Sequence, residues 1–158
     1  MALDLIDELV AVLDALAREQ IEYALCGGIA LSVHGHVRAT TDIDLLVRAA
    51  DVDRVKTIVR ALGFDIPARV ITFGLRIGKP HTVHRLSKID PDTSALMPMD
   101  LLVVEPVYEA VWHGRISLQY RGKPLSVVSR EGLATMKRMA GRPQDLADLA
   151  KLEGDDET

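Results

Sequence analysis

The chain has 158 residues, 48% hydrophobic and 27% charged, which is typical of a soluble globular protein, and we expect one domain over residues 1–158 with a polar tail from about 153. No apolar run approaches the roughly 20 residues that span a bilayer, and acids stand where a signal peptide carries basic residues, so neither membrane insertion nor export is expected. The net charge of −4 argues against a broad nucleic-acid-binding surface, and the single cysteine excludes an internal disulfide and fits a cytoplasmic protein.

Taken in order, the first half predicts alternating helices and strands. Apolar residues at helical spacing predict an amphipathic helix over residues 3–18, followed by a strand over 22–26. Gly27-Gly28 ends that strand, and a short helix follows over 29–34. A strand beginning at Asp42 and a second amphipathic helix over 51–62 complete this half.

The second half predicts two hairpins, a buried strand and two closing helices. The turn Gly78-Lys79-Pro80 predicts a hairpin between strands at 75–77 and 82–86, and residues 89–97 predict a surface loop. The remaining predicted elements are a strand at 99–104, a short helix at 106–113, a hairpin of 115–120 with 125–128, a helix capped by Ser129 and ended by Gly141, and a last helix from Pro143 to about residue 152.

Two carboxylates share one face of a predicted strand. Because strand side chains alternate, Asp42 and Asp44 point the same way while Ile43 points the other. Such a pair is costly unless a cation sits between its members, and Mg²⁺ is commonly held by one or two carboxylates plus substrate phosphates. The upstream glycine pair allows phosphates to approach the backbone. Asp100, near the start of a later apolar strand, is either a solvent-facing strand end or a third ligand.

These elements resemble the nucleotidyltransferase superfamily of DNA polymerase beta. The family pattern is a hydrophobic strand, a glycine pair, Asp-x-Asp and a third Asp on a later strand, matched here by Gly27-Gly28, Asp42-Ile43-Asp44 and Asp100. The segment from Lys137 to Asp148 further resembles the AbiEii-type nucleotidyltransferases of toxin–antitoxin and phage-defence systems. The implied fold is a minimal α/β (α+β) nucleotidyltransferase fold, a mixed β-sheet flanked by helices with further helices at the C-terminus.

The resemblance implies a two-metal site with Mg²⁺ or Mn²⁺ as cofactor, since paired metals clamp the attacking and leaving oxygens of a phosphoryl transfer. The implied catalytic residues are Asp42, Asp44, Asp100 and Asp145, the first three also binding metal. The implied nucleotide-binding residues are Gly27, Gly28, Ser32, Arg38, Thr40, Lys137 and Arg142.

For several of these residues a purely structural role is an alternative to the functional one. Ser32 could simply be a helix-surface serine, and Lys137 a solvent-facing helix lysine. Asp145 could form an ion pair with Arg142 that fixes the last helix, or take part in catalysis or nucleotide placement. Asp148, on the same helix, is expected to be structural.

The predicted activity is transfer of a nucleoside monophosphate from an NTP, such as ATP or GTP, to a hydroxyl acceptor on RNA, including tRNA, or on protein, with a cognate toxin or antitoxin as partner. One alternative is a catalytically silent nucleotide-binding or protein-interaction module. Another is a small-molecule nucleotidyltransferase of the aminoglycoside-modifying sort. The sequence leaves the acceptor, the base and self-association into a homo-oligomer open.

Overall fold

A mixed β-sheet forms the framework of the computed structural model, which describes residues 2–68 and 70–154. The strands in this part of the chain are β1 Ala24–Cys26, β2 Ile43–Val47, β3 Ile66–Pro67, β4 Ile71–Phe73, β5 His81–Ile89, β6 Leu96–Val103, β7 Ile116–Tyr120 and β8 Lys123–Val127. They lie in the order β3-β5-β6-β2-β1-β8-β7, and β4 pairs with β5 outside this path. The β2–β6 and β1–β8 pairs are parallel and the others antiparallel, so the predicted mixed sheet is confirmed.

Helices flank the sheet, also as predicted. They are α1 Leu5–Arg18, α2 Gly27–Val33, α3 Val52–Ala61, α4 Glu109–His113, α5 Arg130–Ala140 and α6 Pro143–Gly154. The Ser129 hydroxyl accepts a hydrogen bond from the Gly132 amide at 3.0 Å, and Gly141 ends α5 with a left-handed backbone at φ 66°. Both ends of α5 therefore follow from its sequence. No helix in residues 2–68 and 70–154 is both long and apolar enough to cross a bilayer.

The strands nearest the centre of the sheet form the core. Leu25, Leu45 and Leu101, on β1, β2 and β6, are fully buried. The apolar stripes of α1 and α3 join the same cluster, through residues such as Leu16 and Val55. Burying a side chain of this size contributes roughly 1.5–3 kcal/mol, so this core fixes the register of the strands that carry the acidic residues.

Two predicted segments differ from the structure. Leu75–Ile77 forms a 3₁₀ turn rather than a strand, because Gly74 and Gly78 on either side adopt left-handed φ values of 76° and 68°. The strand that pairs with β5 is instead β4, just upstream. The predicted loop at 89–97 is also shorter, since β5 continues to Ile89 and β6 already begins at Leu96.

Candidate active site

The three predicted carboxylates line one cleft, at the point where β2 and β6 run side by side. The parallel register places Asp44 opposite Asp100, and Asp42 lies one residue before the start of β2. All three line a cleft of about 1220 Å³. The sheet thus brings together two chain segments separated by more than fifty residues, and Asp100 lines the cleft beside the other two acids.

Arg85 on β5 forms an ion pair with this acidic cluster. Its Nε and Nη2 donate to the Asp100 carboxylate at 2.7 and 2.9 Å, and Nη2 lies 3.7 Å from Asp42 Oδ2. Hydrogen bonding to Asp100 raises the pKa of the guanidinium above its already high ordinary value. Sequence reasoning assigned Arg85 no role, because only the β5–β6 register, which pairs Arg85 with Asp100, reveals the contact.

Asp44 differs from the other two acids in its surroundings. Its pKa is raised to about 7, first by burial and then by the negative charges of Asp100 and Asp42. No described side chain is within hydrogen-bonding or ion-pairing distance of its carboxylate. A cation at this position would stabilise the ionised carboxylate and offset the repulsion within the cluster.

The donor set fits a divalent cation, although the side chains are not arranged as a finished metal site. Among the described residues, no three acidic, histidine or cysteine side chains converge as metal ligands, and Asp100 is held by Arg85 instead. Carboxylate oxygens are the ligands that Mg²⁺ prefers, and Asp44 is available. A cation coordinated by all three acids would therefore compete with Arg85 for the Asp100 carboxylate.

The glycine pair packs directly against the acids. Gly27 has a left-handed φ of 69°, and a Cβ atom built on it would overlap Oδ2 of Asp44. A Cβ on Gly28 would lie 2.7 Å from Thr40 Oγ1 and 3.3 Å from an Arg38 nitrogen. Helix α2 begins at Gly27 itself, so the glycines form its first turn rather than a separate turn. Glycine is required at 27 because any side chain would displace the acidic residue.

The structure places Ser32 apart from the other predicted nucleotide-binding residues. Its hydroxyl donates to the Gly28 carbonyl at 3.3 Å, within α2, and Ser32 does not line the cleft. Its hydrogen bond is thus internal to the helix. Thr40, by contrast, lines the cleft next to the acids.

Asp148 anchors a buried ion network below the cleft. Its fully buried carboxylate accepts hydrogen bonds from Arg38 at 2.9–3.2 Å and from Gln144 at 2.9 Å, and lies 3.0 Å from Lys137 Nζ. Burial alone would raise the pKa of Asp148, but the hydrogen bonds from Arg38, Lys137 and Gln144 lower it to about 2. The structural role expected for Asp148 thus extends to joining α5, α6 and the loop before β2.

Asp145 occupies the adjoining part of this network. Its carboxylate accepts from Arg142 Nε at 2.6 Å and from the Arg142 amide at 3.2 Å, and Lys137 Nζ lies 3.4 Å away. The alternative of an Arg142–Asp145 ion pair is therefore observed. The alternative of a solvent-facing Lys137 is wrong, because the Lys137 side chain is only 7% exposed and lies between two carboxylates. Both Lys137 and Asp145 still line the cleft.

The far wall of the cleft is apolar, which sequence reasoning did not anticipate. Phe73 stacks on His81, with ring centroids 5.4 Å apart, and His81 packs on Tyr108 at 5.3 Å. Burial raises the pKa of the Tyr108 hydroxyl. Other apolar side chains near Phe73 that line the cleft are Ile71, Leu75, Ile77 and Val83, while Met136 and Met139 line it from α5. A run of exposed apolar residues over 70–77 was the available signal, but the prediction of a hairpin explained it without a ligand.

Comparison with known proteins supports the nucleotidyltransferase superfamily that the sequence resembles. The model of the aminoglycoside-2''-adenylyltransferase family matches residues 8–152. Among curated proteins none matches the chain.

Solved structures share the fold at low sequence identity. A lincomycin-bound lincosamide antibiotic adenylyltransferase, LnuA, is 16% identical with a TM-score of 0.59, over 97% of this chain and 98% of that one. A Thermotoga maritima protein assigned as a nucleotidyltransferase is 13% identical with a TM-score of 0.61, over 95% and 92%. ANT(2'')-Ia in complex with adenylyl-2''-tobramycin is 16% identical with a TM-score of 0.55, over 91% and 84%. Because the family model spans nearly the whole chain, this protein belongs to the aminoglycoside-2''-adenylyltransferase family and is an enzyme of the nucleotidyltransferase superfamily.

Proposed function

We propose that the protein transfers a nucleoside monophosphate, AMP in the first instance, from an NTP to a hydroxyl group of a small molecule. The observation that carries this proposal is the register of β2 and β6, which sets Asp44 beside Asp100 in a cleft against a glycine that leaves no room for a side chain. The family description supports adenylyl transfer, and antibiotic adenylyltransferases among the structural neighbours support a small acceptor.

The acids would hold the divalent cation and receive a proton. Asp42, Asp44 and Asp100 would bind Mg²⁺ or Mn²⁺, which when bound neutralises charge on the triphosphate and polarises its phosphorus–oxygen bonds. In the reaction the acceptor oxygen forms a bond to the α-phosphorus while the bond to the bridging oxygen of the β-phosphate breaks. Pyrophosphate leaves with that electron pair, and Asp100 would take the proton of the acceptor hydroxyl.

Basic residues on the same cleft would bind the triphosphate. Arg142 is paired with Asp145 yet its side chain is 76% exposed, so its guanidinium can also reach a phosphate. Lys137 and Arg38 would contribute indirectly. They pair with the buried carboxylate of Asp148, and this pairing holds α5 and α6 in position beside the cleft. Arg85, once exchanged from Asp100, provides a further cation for the negative charge that develops on the leaving pyrophosphate.

An RNA or protein acceptor in an AbiEii-type toxin–antitoxin system is the alternative proposal. It depends on the segment from Lys137 to Asp148, and the ion pairs of that segment also have the structural explanation given above. A silent nucleotide-binding module is a further alternative, but an unpartnered buried carboxylate is costly to retain without cation binding.

The deciding experiment incubates the protein with each α-labelled NTP, Mg²⁺, and small hydroxylated compounds, RNA or protein extract in parallel. We expect label transfer with ATP to small compounds, and its loss on Asp44→Asn. The matched control is Asp51→Asn, since Asp51 pairs with Arg54 on the surface away from the cleft. Transfer only to RNA or protein would favour the alternative acceptor. Nucleotide binding that is identical in the wild type and Asp44→Asn, with no transfer to any acceptor, would refute the proposal.

A further inference from the structure

The cleft has two chemically different sides, and the sheet order separates them. Asp44 and Asp100 lie on the adjacent strands β2 and β6, and Asp42 directly precedes β2. On one side, past β5, come β4 and the 3₁₀ turn Leu75–Ile77, while on the other side, past β1 and β8, the chain enters α5 with Lys137. If the triphosphate of the nucleotide faces the basic residues of α5 and α6, the β4 side of the cleft remains open to the second substrate.

The β4 side exposes large apolar side chains. Phe73 is 46% exposed, Leu75 69% and Ile77 63%, and all three line the cleft. A contiguous exposed apolar surface next to polar groups is typical of a ligand-binding site, because leaving it in water is unfavourable. The Phe73 ring is held in place by stacking on His81, so it presents a fixed flat face.

The charges of the cleft are poorly suited to a polycation. Its acidic lining residues in the described chain are the three at the reaction centre and Asp145, which is already paired with Arg142 and Lys137. Its basic lining residues are Arg38, Arg76, Arg85, Lys137 and Arg142. Four of these basic residues are paired with carboxylates, so Arg76 is the cation of the described lining that has no acidic partner. A polyamine sugar would therefore find no uncommitted carboxylate among the described lining residues outside the reaction centre, and it would meet the like charge of Arg76.

We propose that the acceptor is a hydroxyl-bearing small molecule with an apolar face and at most one positive charge, packed against Phe73 and Leu75. This inference rests on the proposed function and narrows its acceptor, away from the polycationic aminoglycosides for which the family is described. The specificity then comes from apolar contact and from the fact that, outside the reaction centre, the described lining residues offer no unpaired carboxylate.

Two antibiotics serve as probes: lincomycin, with an alkyl chain and one basic amine, and tobramycin, a polyamine sugar. Calorimetric titration measures binding of each in the presence of a non-hydrolysable ATP analogue and Mg²⁺, and steady-state kinetics measures transfer from ATP. We expect lincomycin to bind and be modified in preference to tobramycin. Phe73→Ala should weaken lincomycin binding about 2- to 10-fold, the range of an aromatic contact, with the KM for ATP unchanged.

Two further variants sharpen the test. Leu118→Ala removes a similarly exposed side chain on β7, outside the cleft, and should change neither constant. Leu75→Glu places a carboxylate at a position exposed enough to tolerate it and should move the preference toward tobramycin. Its retained fold is checked by its melting temperature.

Each outcome bears on the inference separately from the proposed function. Preference for tobramycin, no detectable lincomycin binding, or a Phe73→Ala effect on ATP rather than on lincomycin would overturn it. If lincomycin binds in a Phe73-dependent manner but no acceptor is ever modified, the proposed function fails while the assignment of the apolar wall as a small-molecule site stands.

Discussion

Arg85 and Asp100 form a bidentate ion pair across neighbouring strands, with donor–acceptor distances of 2.7 and 2.9 Å. The same guanidinium lies 3.7 Å from Asp42, so it pairs with two of the three carboxylates of the cluster. Because the Arg85 side chain is 43% exposed and tethered by a flexible stem, it can exchange with a diffusible cation. We therefore expect this ion pair to stabilise the protein when no metal is bound and to compete with a metal ion for Asp100.

Removing the guanidinium should therefore strengthen metal binding. Arg85→Gln should bind Mn²⁺ several-fold more tightly in the absence of nucleotide, because Asp100 no longer has to leave a partner. The same variant should melt at a lower temperature in EDTA and recover more than the wild type on adding Mg²⁺, since the acids then repel one another unscreened. Titration followed by electron paramagnetic resonance and thermal melts measure the two effects.

Arg54→Gln provides the control for the Arg85 variant. Arg54 is a comparably exposed arginine paired with Asp51 outside the cleft, so its loss should leave Mn²⁺ affinity unchanged. Unchanged or weaker Mn²⁺ binding by Arg85→Gln would show that the guanidinium does not compete with the metal.

Gly27 and Gly35 share a left-handed backbone but differ in their surroundings. Gly27→Ala should abolish transfer and destabilise the fold by several kcal/mol, because the new Cβ overlaps the Asp44 carboxylate. Gly35→Ala, at φ 101° with no atom within 4 Å of its added Cβ, should cost only about 1–2 kcal/mol of backbone strain and leave activity intact. Urea unfolding and transfer assays compare the two, and equal losses of activity would argue against the steric explanation.

Asp148 should make stability fall in acid. Its folded pKa of about 2 lies below the ordinary 3.8, so its contribution is present above about pH 4 and is lost as the pH falls toward 2. The loss is on the order of 2 kcal/mol. Asp148→Asn should remove this dependence and cost about 3–5 kcal/mol at pH 7, since Arg38 and Lys137 lose a buried counter-charge.

Urea unfolding at several pH values between 2 and 7 tests the role of Asp148. The matched variant is Asp14→Asn, whose carboxylate pairs with Lys123 at the surface and should matter by less than about 1 kcal/mol. If Asp148→Asn retains the full acid loss of stability, other carboxylates are responsible for it.

Much of this architecture could be predicted because it is local. Helical periodicity predicts α1 and α3, Ser129 and Gly141 predict the ends of α5, and alternation predicts that Asp44 and its neighbours face opposite sides. The glycine pair followed by Asp-x-Asp indicates the superfamily. The glycines are needed because a side chain would not fit there, and the aspartates supply the negative charge that a cation needs.

The contacts that complete the site could not be predicted, because they depend on strand register. Arg85 meets Asp100 only once β5 and β6 are paired, and no local pattern distinguishes Arg85 from a solvated arginine. Phe73 lines the cleft because the strand that pairs with β5 is β4, which lies upstream of the strand predicted at 75–77. The buried position of Lys137 likewise follows from the packing of α6 against α5, through Asp145 and Asp148.

Asp44 should affect stability in the direction opposite to Asp148. Its folded pKa of about 7 lies above the ordinary 3.8, so without metal its contribution is present below about pH 4 and is lost as the pH rises toward 7. In EDTA at pH 8, Asp44→Asn should therefore be more stable than the wild type, by up to about 4 kcal/mol, and nearly equal to it at pH 4. Added Mg²⁺ should stabilise only the wild type, and we expect the variant to be inactive in nucleotide transfer. Urea unfolding at both pH values tests this prediction. If the variant is less stable than the wild type at pH 8, the ionised Asp44 carboxylate has a stabilising partner even without metal.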